Sequence, residues 1–225
     1  MKQLFEGEVL DVLSVAGGIV FAYVSDRTAD GQTMVAYRLV NFETGRGDSV
    51  GNTIYQLAKF GPDYSKMARF INHHLTTSVA MLGNGRVLLS ERDGTAKLIK
   101  DGEEIEWVGK FLYKNEAPCS LCGDGDTVWG VFKNSGVAVR FSAKTLRSEL
   151  RIGGSGGEFS FDKPCNIYQS GEELFISNCG NNKIWKLNTK TYRTEEYMSF
   201  EEPVMYYTRS CGYELAVLSS GIYIL

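Results

Sequence analysis

Short apolar runs recur along the chain, each opened by a glycine-bearing turn: "GGIVFAYVS", "GNGRVLLSE", "GDGDTVWGVF", "SGEELFISN" and "CGYELAVLS". The runs are rich in Val, Ile, Phe, Tyr and Trp, which suit a pleated, half-buried surface, so they predict short strands between tight turns rather than long helices. The turn glycines Gly18, Gly85, Gly125, Gly171 and Gly212 stand 67, 40, 46 and 41 residues apart. Ahead of three of the runs lies a proline, at Pro118, Pro164 and Pro203. Proline can open a strand there without removing an interior ladder bond.

A second repeat runs through "VNFETGRGDS", "VRFSAKTLRSEL" and "WKLNTKTYRTEE". Each is a strand end, a polar turn and then Thr-x-Arg, at Thr44 and Arg46, Thr145 and Arg147, and Thr191 and Arg193. The Arg-Gly-Asp-Ser tetrapeptide at residues 46–49, which matches an integrin-binding motif, falls inside this repeat. It reads as a hairpin in which Gly45 takes the turn position held elsewhere by Leu146 and Tyr192.

Each copy divides into four strands, clearest in "CNIYQS", "ELFISN", "NKIWKLN" and "TEEYMS". A unit of about 40 to 45 residues with four hairpin-joined strands is the blade of a β-propeller, where each sheet covers its neighbour's apolar face. Five copies predict an all-β, five-bladed propeller of four-stranded antiparallel blades, one domain spanning residues 1–225. The last copy stops at "GIYIL", its third strand, while "QLFEGEVL" supplies an extra strand at the start. The N-terminal strand is therefore expected to complete the last blade. Six blades are the alternative, should the long first unit, residues 7–75, contain a degenerate second one.

The fourth copy, residues 159–197, carries Pro164 and Ile167 at the strand entry, the turn Gly171, Leu174 to Asn178, then Asn182 to Lys186. This order resembles an NHL-type repeat and the gluconolactonase-like propellers. The resemblance implies the fold and two kinds of function: protein-binding scaffolds, and metal-dependent lactonase-like hydrolases or lyases. The lactonase type would hold a divalent metal at the channel mouth, with Asn166 and Glu91 as contributors. The matching entry positions elsewhere read as Leu13, Val79, Ser120 and Met205, which are poor ligands for a hard cation.

The chain has 225 residues, 43% of them hydrophobic, and a net charge of −3 with acids and bases interspersed. A basic face able to neutralise phosphates is not expected, which sets nucleic acid aside. No apolar segment reaches the ~18 residues of a membrane span or the pattern of a signal peptide, so a monomeric, cytoplasmic protein is expected. The cysteines Cys119, Cys122, Cys165, Cys179 and Cys211 form an odd set and are expected to be reduced core thiols. The one CxxC, Cys119 and Cys122, has no second pair to complete a zinc site.

Candidate ligand-binding residues fall in the polar loops at strand ends: Glu91, Arg92, Lys133, Asn134, Asn178 and Asn181, with Asn166 at its blade entry. His73 and His74 join them from the longest connection, residues 51–75, because long loops in compact domains often carry function. No catalytic residue, metal ligand or cofactor is assigned. The expected function is non-enzymatic binding of a protein partner or a small polar molecule, with the hydrolase or lyase as the alternative.

Overall fold

The computed structural model describes residues 1–42, 44, 47–49, 77–100, 104–154 and 160–225. Among them lie five four-stranded antiparallel sheets, the blades of a five-bladed β-propeller, as the repeat predicts. The first contains β2 (Val9–Val15), β3 (Gly18–Arg27), β4 (Thr33–Asn41) and β5 (Gly47–Ser49). The second contains β6 (Thr77–Met81), β7 (Val87–Glu91), β8 (Thr95–Lys100) and β9 (Glu104–Lys110). The third holds β10 (Ser120–Asp124), β11 (Thr127–Phe132), β12 (Val137–Ser142) and β13 (Ser148–Gly153). The fourth holds β14 (Pro164–Ser170), β15 (Glu173–Asn178), β16 (Lys183–Asn188) and β17 (Thr194–Ser199). In the fifth, β18 (Val204–Ser210), β19 (Tyr213–Leu218) and β20 (Gly221–Ile224) are joined at the edge by β1 (Lys2–Glu6). The N-terminal strand thus completes the last blade. Residues 50–76, which hold His73 and His74, lie outside the described residues.

The chain groups into two compact units, residues 1–75 with 208–225, and residues 76–207. In the second unit, the blades pack face to face. Leu88 and Leu98 of the second sheet, with Phe111 just after it, meet Val128, Phe132 and Phe141 of the third in one buried cluster. Trp129, Val131 and Ala138 leave the other face of the third sheet to pack with Ile167, Leu174 and Ile176 of the fourth. Both faces of β11 and β15 are covered, so each is buried from its second residue to its last, while the outer β13 stays largely exposed. That explains why the runs read as continuous apolar segments rather than as alternation.

The Thr-x-Arg repeat is a capped turn. Asn188 Oδ1 accepts the backbone N–H of Lys190 (3.0 Å) and of Thr191 (2.8 Å) and the Thr191 hydroxyl (3.1 Å), and Thr191 Oγ1 accepts the Arg193 N–H at 3.4 Å. Tyr192 then takes φ +60°, as Leu146 takes +54° in the matching turn where Ser142 is the cap. Asn41 caps Thr44 in the same way at 3.0 Å. Gly47, Asp48 and Ser49 of the tetrapeptide pair with Val40, Leu39 and Arg38 as the outer strand of the first blade; Arg46 lies outside the described residues. Asn188→Ala is expected to cost about 1–2 kcal/mol, since several turn donors lose their acceptor at once. Urea unfolding of that variant, with Lys190→Ala as the neutral comparison, checks this.

The cysteines differ from expectation. None is a fully buried core residue: Cys119, Cys165, Cys179 and Cys211 stand at strand entries and turns, where their thiols point at backbone carbonyls, while Cys122, in the middle of β10, is partly buried against the core of the third and fourth blades. Cys119 Sγ lies 3.2 Å from the Val131 carbonyl and 3.1 Å from that of Pro164. Its CxxC partner Cys122 instead faces Gln169 Oε1 at 3.8 Å, so the two do not share a site. Loss of water around each thiol raises both, Cys119 up to about 12 and Cys122 well above the usual thiol value.

Candidate functional site: a cationic cavity in the second unit

The turn between β11 and β12 is held by Glu116. Its carboxylate accepts the N–H of Asn134 at 2.6 Å, the N–H of Ser135 at 2.9 Å and the Ser135 hydroxyl at 2.7 Å. Gly136 comes next, at φ +62°, and it admits the link before β14: a Cβ there would stand 2.6 Å from the Phe161 carbonyl oxygen. The Phe161 N–H in turn donates to the Gly136 carbonyl at 3.1 Å. This close approach fixes the turn against residues 160–163.

Between them opens a cavity of about 570 Å³, walled by Tyr113, Lys114, the turn Lys133–Val137, Arg151, Gly154 and Ser160–Lys163. Four cationic side chains, Lys114, Lys133, Arg151 and Lys163, line it against the single carboxylate of Asp162. None of the four makes an ion pair with a described residue; Lys114 instead lies over the Tyr113 ring at 5.7 Å. Unneutralised cations around one concavity create a field that attracts anions, and the Asn134 amide and the Ser135 and Ser160 hydroxyls add polar contacts.

Of the residues read from sequence, Lys133 and Asn134 belong to this cavity. Glu91 and Arg92 are exposed at the end of β7, away from its walls. Asn178 is fully buried and Asn181 Oδ1 is buried in the next turn; among the described residues neither amide atom of Asn178 nor Asn181 Oδ1 has a hydrogen-bond partner. Asn166 is engaged elsewhere: its Nδ2 donates to Ser120 Oγ at 3.4 Å and its Oδ1 accepts the Tyr207 N–H at 3.2 Å.

Asn166 is one member of a polar belt that joins consecutive first strands of the second unit. Ser78 Oγ donates to the Cys119 carbonyl at 3.2 Å, and Ser120 Oγ accepts the Ile167 N–H at 3.2 Å. Ser78, Ser120 and Asn166 sit opposite Ser90, Val131 and Ser177, the penultimate residues of their partner strands. The equivalent entry positions are therefore Ser78 rather than Val79, and Tyr206 rather than Met205, because Tyr207 donates to Asn166 as Ile167 does to Ser120. In the first blade the position is Asp11, not Leu13, since it follows a bulge after Val9 as Asn166 follows one after Pro164. A bulge adds a residue to one strand and shifts all later positions, with no mark in the residue pattern.

Lys114, Arg151 and Lys163 were missed by the sequence reading. Lys163 had one usable signal, standing directly before the Pro164 entry in a link between blades. Among the described residues, no group of three His, Cys, Asp or Glu side chains is placed to hold a metal ion.

No family model matches the chain, and no curated protein matches it. Solved structures do. Sqt1 from Saccharomyces cerevisiae aligns with a TM-score of 0.55 at 12% identity, covering 96% of this chain and 71% of that one. A catalytically inactive virginiamycin B lyase from Staphylococcus aureus, solved with quinupristin, aligns with a TM-score of 0.51 at 15% identity, covering 95% of this chain and 64% of that one. The computationally designed Ika4 protein aligns over 67% of this chain and 89% of its own, with a TM-score of 0.50 at 12% identity. At these identities the likenesses establish the β-propeller fold alone.

Proposed function

We propose that the chain is a non-enzymatic binding propeller whose cationic cavity takes an anionic group, carried by a small polar molecule or by an acidic segment of a protein partner. The observation that carries this reading is the set of four cations that make no ion pair among the described residues, around about 570 Å³ of concave space. That volume suits one small ligand or a few side chains of a docking segment. The turn and the link that shape the cavity are tied by the Glu116 carboxylate and the Gly136–Phe161 bond, so the cations are already assembled before a ligand arrives. The likeness of the fourth copy to NHL-type and gluconolactonase-like repeats is compatible with a scaffold of this kind, and it rests on one blade.

Calorimetric titration with citrate, inorganic phosphate, a glutamate-rich peptide and a lysine-rich peptide tests the proposal. Binding of citrate or phosphate identifies a small-molecule site, and binding of the acidic peptide alone identifies a protein partner. In either case the affinity should fall with added salt, and Lys133→Glu with Arg151→Glu should weaken it at least about tenfold by reversing two of the four charges. Equal affinity in the double variant, or preference for the lysine-rich peptide, would overturn the reading.

A further inference from the structure

The fourth blade brings two thiols together beside this cavity. Cys179 N donates to the Lys163 carbonyl at 3.3 Å and Pro164 pairs with Asn178, so Cys165 and Cys179 flank that pair on adjacent antiparallel strands. Cys165 is the extra residue of the bulge between Pro164 and Asn166, which turns it out of the regular alternation. Its Sγ lies 3.3 Å from the Ser177 carbonyl and Cys179 Sγ lies 3.2 Å from the Lys163 carbonyl, on neighbouring rungs of the same strand pair. Cys179 is half-buried, whereas the Cys165 thiol is enclosed, with the Val204 and Met205 carbonyls at 3.4 and 3.2 Å. Lys133 and Lys163, both cavity residues, place positive charge near Cys179.

We propose that Cys179 and Cys165 are a peroxide-oxidisable dithiol, Cys179 the attacking sulfur and Cys165 the resolving one. The neighbouring Cys165 thiol, with the two lysines, draws Cys179 down from the usual thiol value to about 6, while Cys179 and burial push Cys165 up. At neutral pH the pair is thus a thiolate beside a thiol. The Cys179 thiolate attacks a hydroperoxide: an S–O bond forms, the O–O bond breaks, and the departing oxygen takes a proton and leaves as water or an alcohol. Cys179 is then a neutral sulfenic acid, so the negative charge that raised Cys165 is gone. Cys165 sulfur attacks Cys179 sulfur, the S–S bond forms, the S–O bond breaks, and hydroxide leaves as water with the Cys165 proton. Two electrons pass to the peroxide, and both thiols end in one disulfide.

The experiment treats the reduced protein with stoichiometric hydrogen peroxide, blocks remaining thiols with N-ethylmaleimide and maps the peptides by mass spectrometry. The expected product is a Cys165–Cys179 crosslink that dithiothreitol reverses. Before oxidation, iodoacetamide at pH 7 should label Cys179 at least about tenfold faster than Cys119 or Cys122. Cys165→Ser should leave Cys179 as a sulfenic acid that dimedone traps. A crosslink between other cysteines, direct conversion of Cys179 to sulfinic acid in the unsubstituted protein, or equal labelling of the three thiols would overturn the proposal. The mapping uses the unsubstituted chain and stands even if Cys165→Ser folds poorly.

Discussion

Removal of residues 2–6 is expected to destabilise the protein by more than about 5 kcal/mol, enough to bring a typical domain close to its unfolding threshold. β1 is the outer strand of the last blade, pairing Lys2 with Ile224, Gln3 with Tyr223, Phe5 with Ile222 and Glu6 with Gly221, and the Gly7 N–H donates to the Ser220 carbonyl at 2.9 Å. Phe5 also packs against the first blade, its ring centroid 4.7 Å from that of Phe21 and 5.0 Å from that of Tyr23. Without β1, this aromatic cluster loses a member, fully buried Phe21 and Ile222 lose cover, and β20 becomes an open edge. Gly221→Ala inflicts a local form of the same lesion. Gly221 has φ +152°, and a Cβ there would stand 2.0 Å from the Phe5 carbonyl oxygen, so the two strands would have to part. Its expected cost is about 2–3 kcal/mol. Urea unfolding followed by tryptophan fluorescence and circular dichroism measures both; a truncated chain with an unchanged midpoint would show that β1 is dispensable.

That closure was legible in the sequence because a missing strand in the last repeat and a surplus strand at the start are a counting problem, and four strands per copy settle it. The fourth blade was legible to within a residue or two, since Gly171 and the Asn188 turn mark its hairpins by residue type. The cavity was half legible. Lys133 and Asn134 sit in a turn between two strongly apolar strands, which exposes them by position alone. Arg151 belongs to an outer strand and Lys114 to the segment before the third blade, and only packing in three dimensions brings them to the same concavity. Of the entry positions, Ser120 and Asn166 stand as read, while Leu13, Val79 and Met205 lie one or two residues from the paired positions. Register is decided by backbone pairing rather than by side-chain type, and before Asp11 a bulge also adds a residue.

Replacing Asp11 with Asn is expected to stabilise the protein at pH 8 by up to about 4 kcal/mol while changing little near pH 4. Asp11 fills the position held by Ser78, Ser120 and Asn166 in other blades, but it is ionisable, and loss of water around its carboxyl raises it from 3.8 to about 7 despite the Val12 N–H at 2.8 Å. The folded state therefore holds the proton more tightly than the unfolded chain. Below about pH 4 both states are protonated and the group contributes nothing to the pH dependence. As pH rises from about 4 to 7 the unfolded chain ionises first, so stability falls across that window, and above pH 7 the penalty is complete. Roughly three pH units at about 1.4 kcal/mol each set its size. Asparagine keeps the shape and cannot ionise, so the variant should lack this slope and its advantage should grow with pH. Urea midpoints for both proteins at pH 4, 6 and 8 decide the matter. Parallel curves would mean that the Asp11 carboxylate is solvated or paired in the folded protein and carries no electrostatic cost.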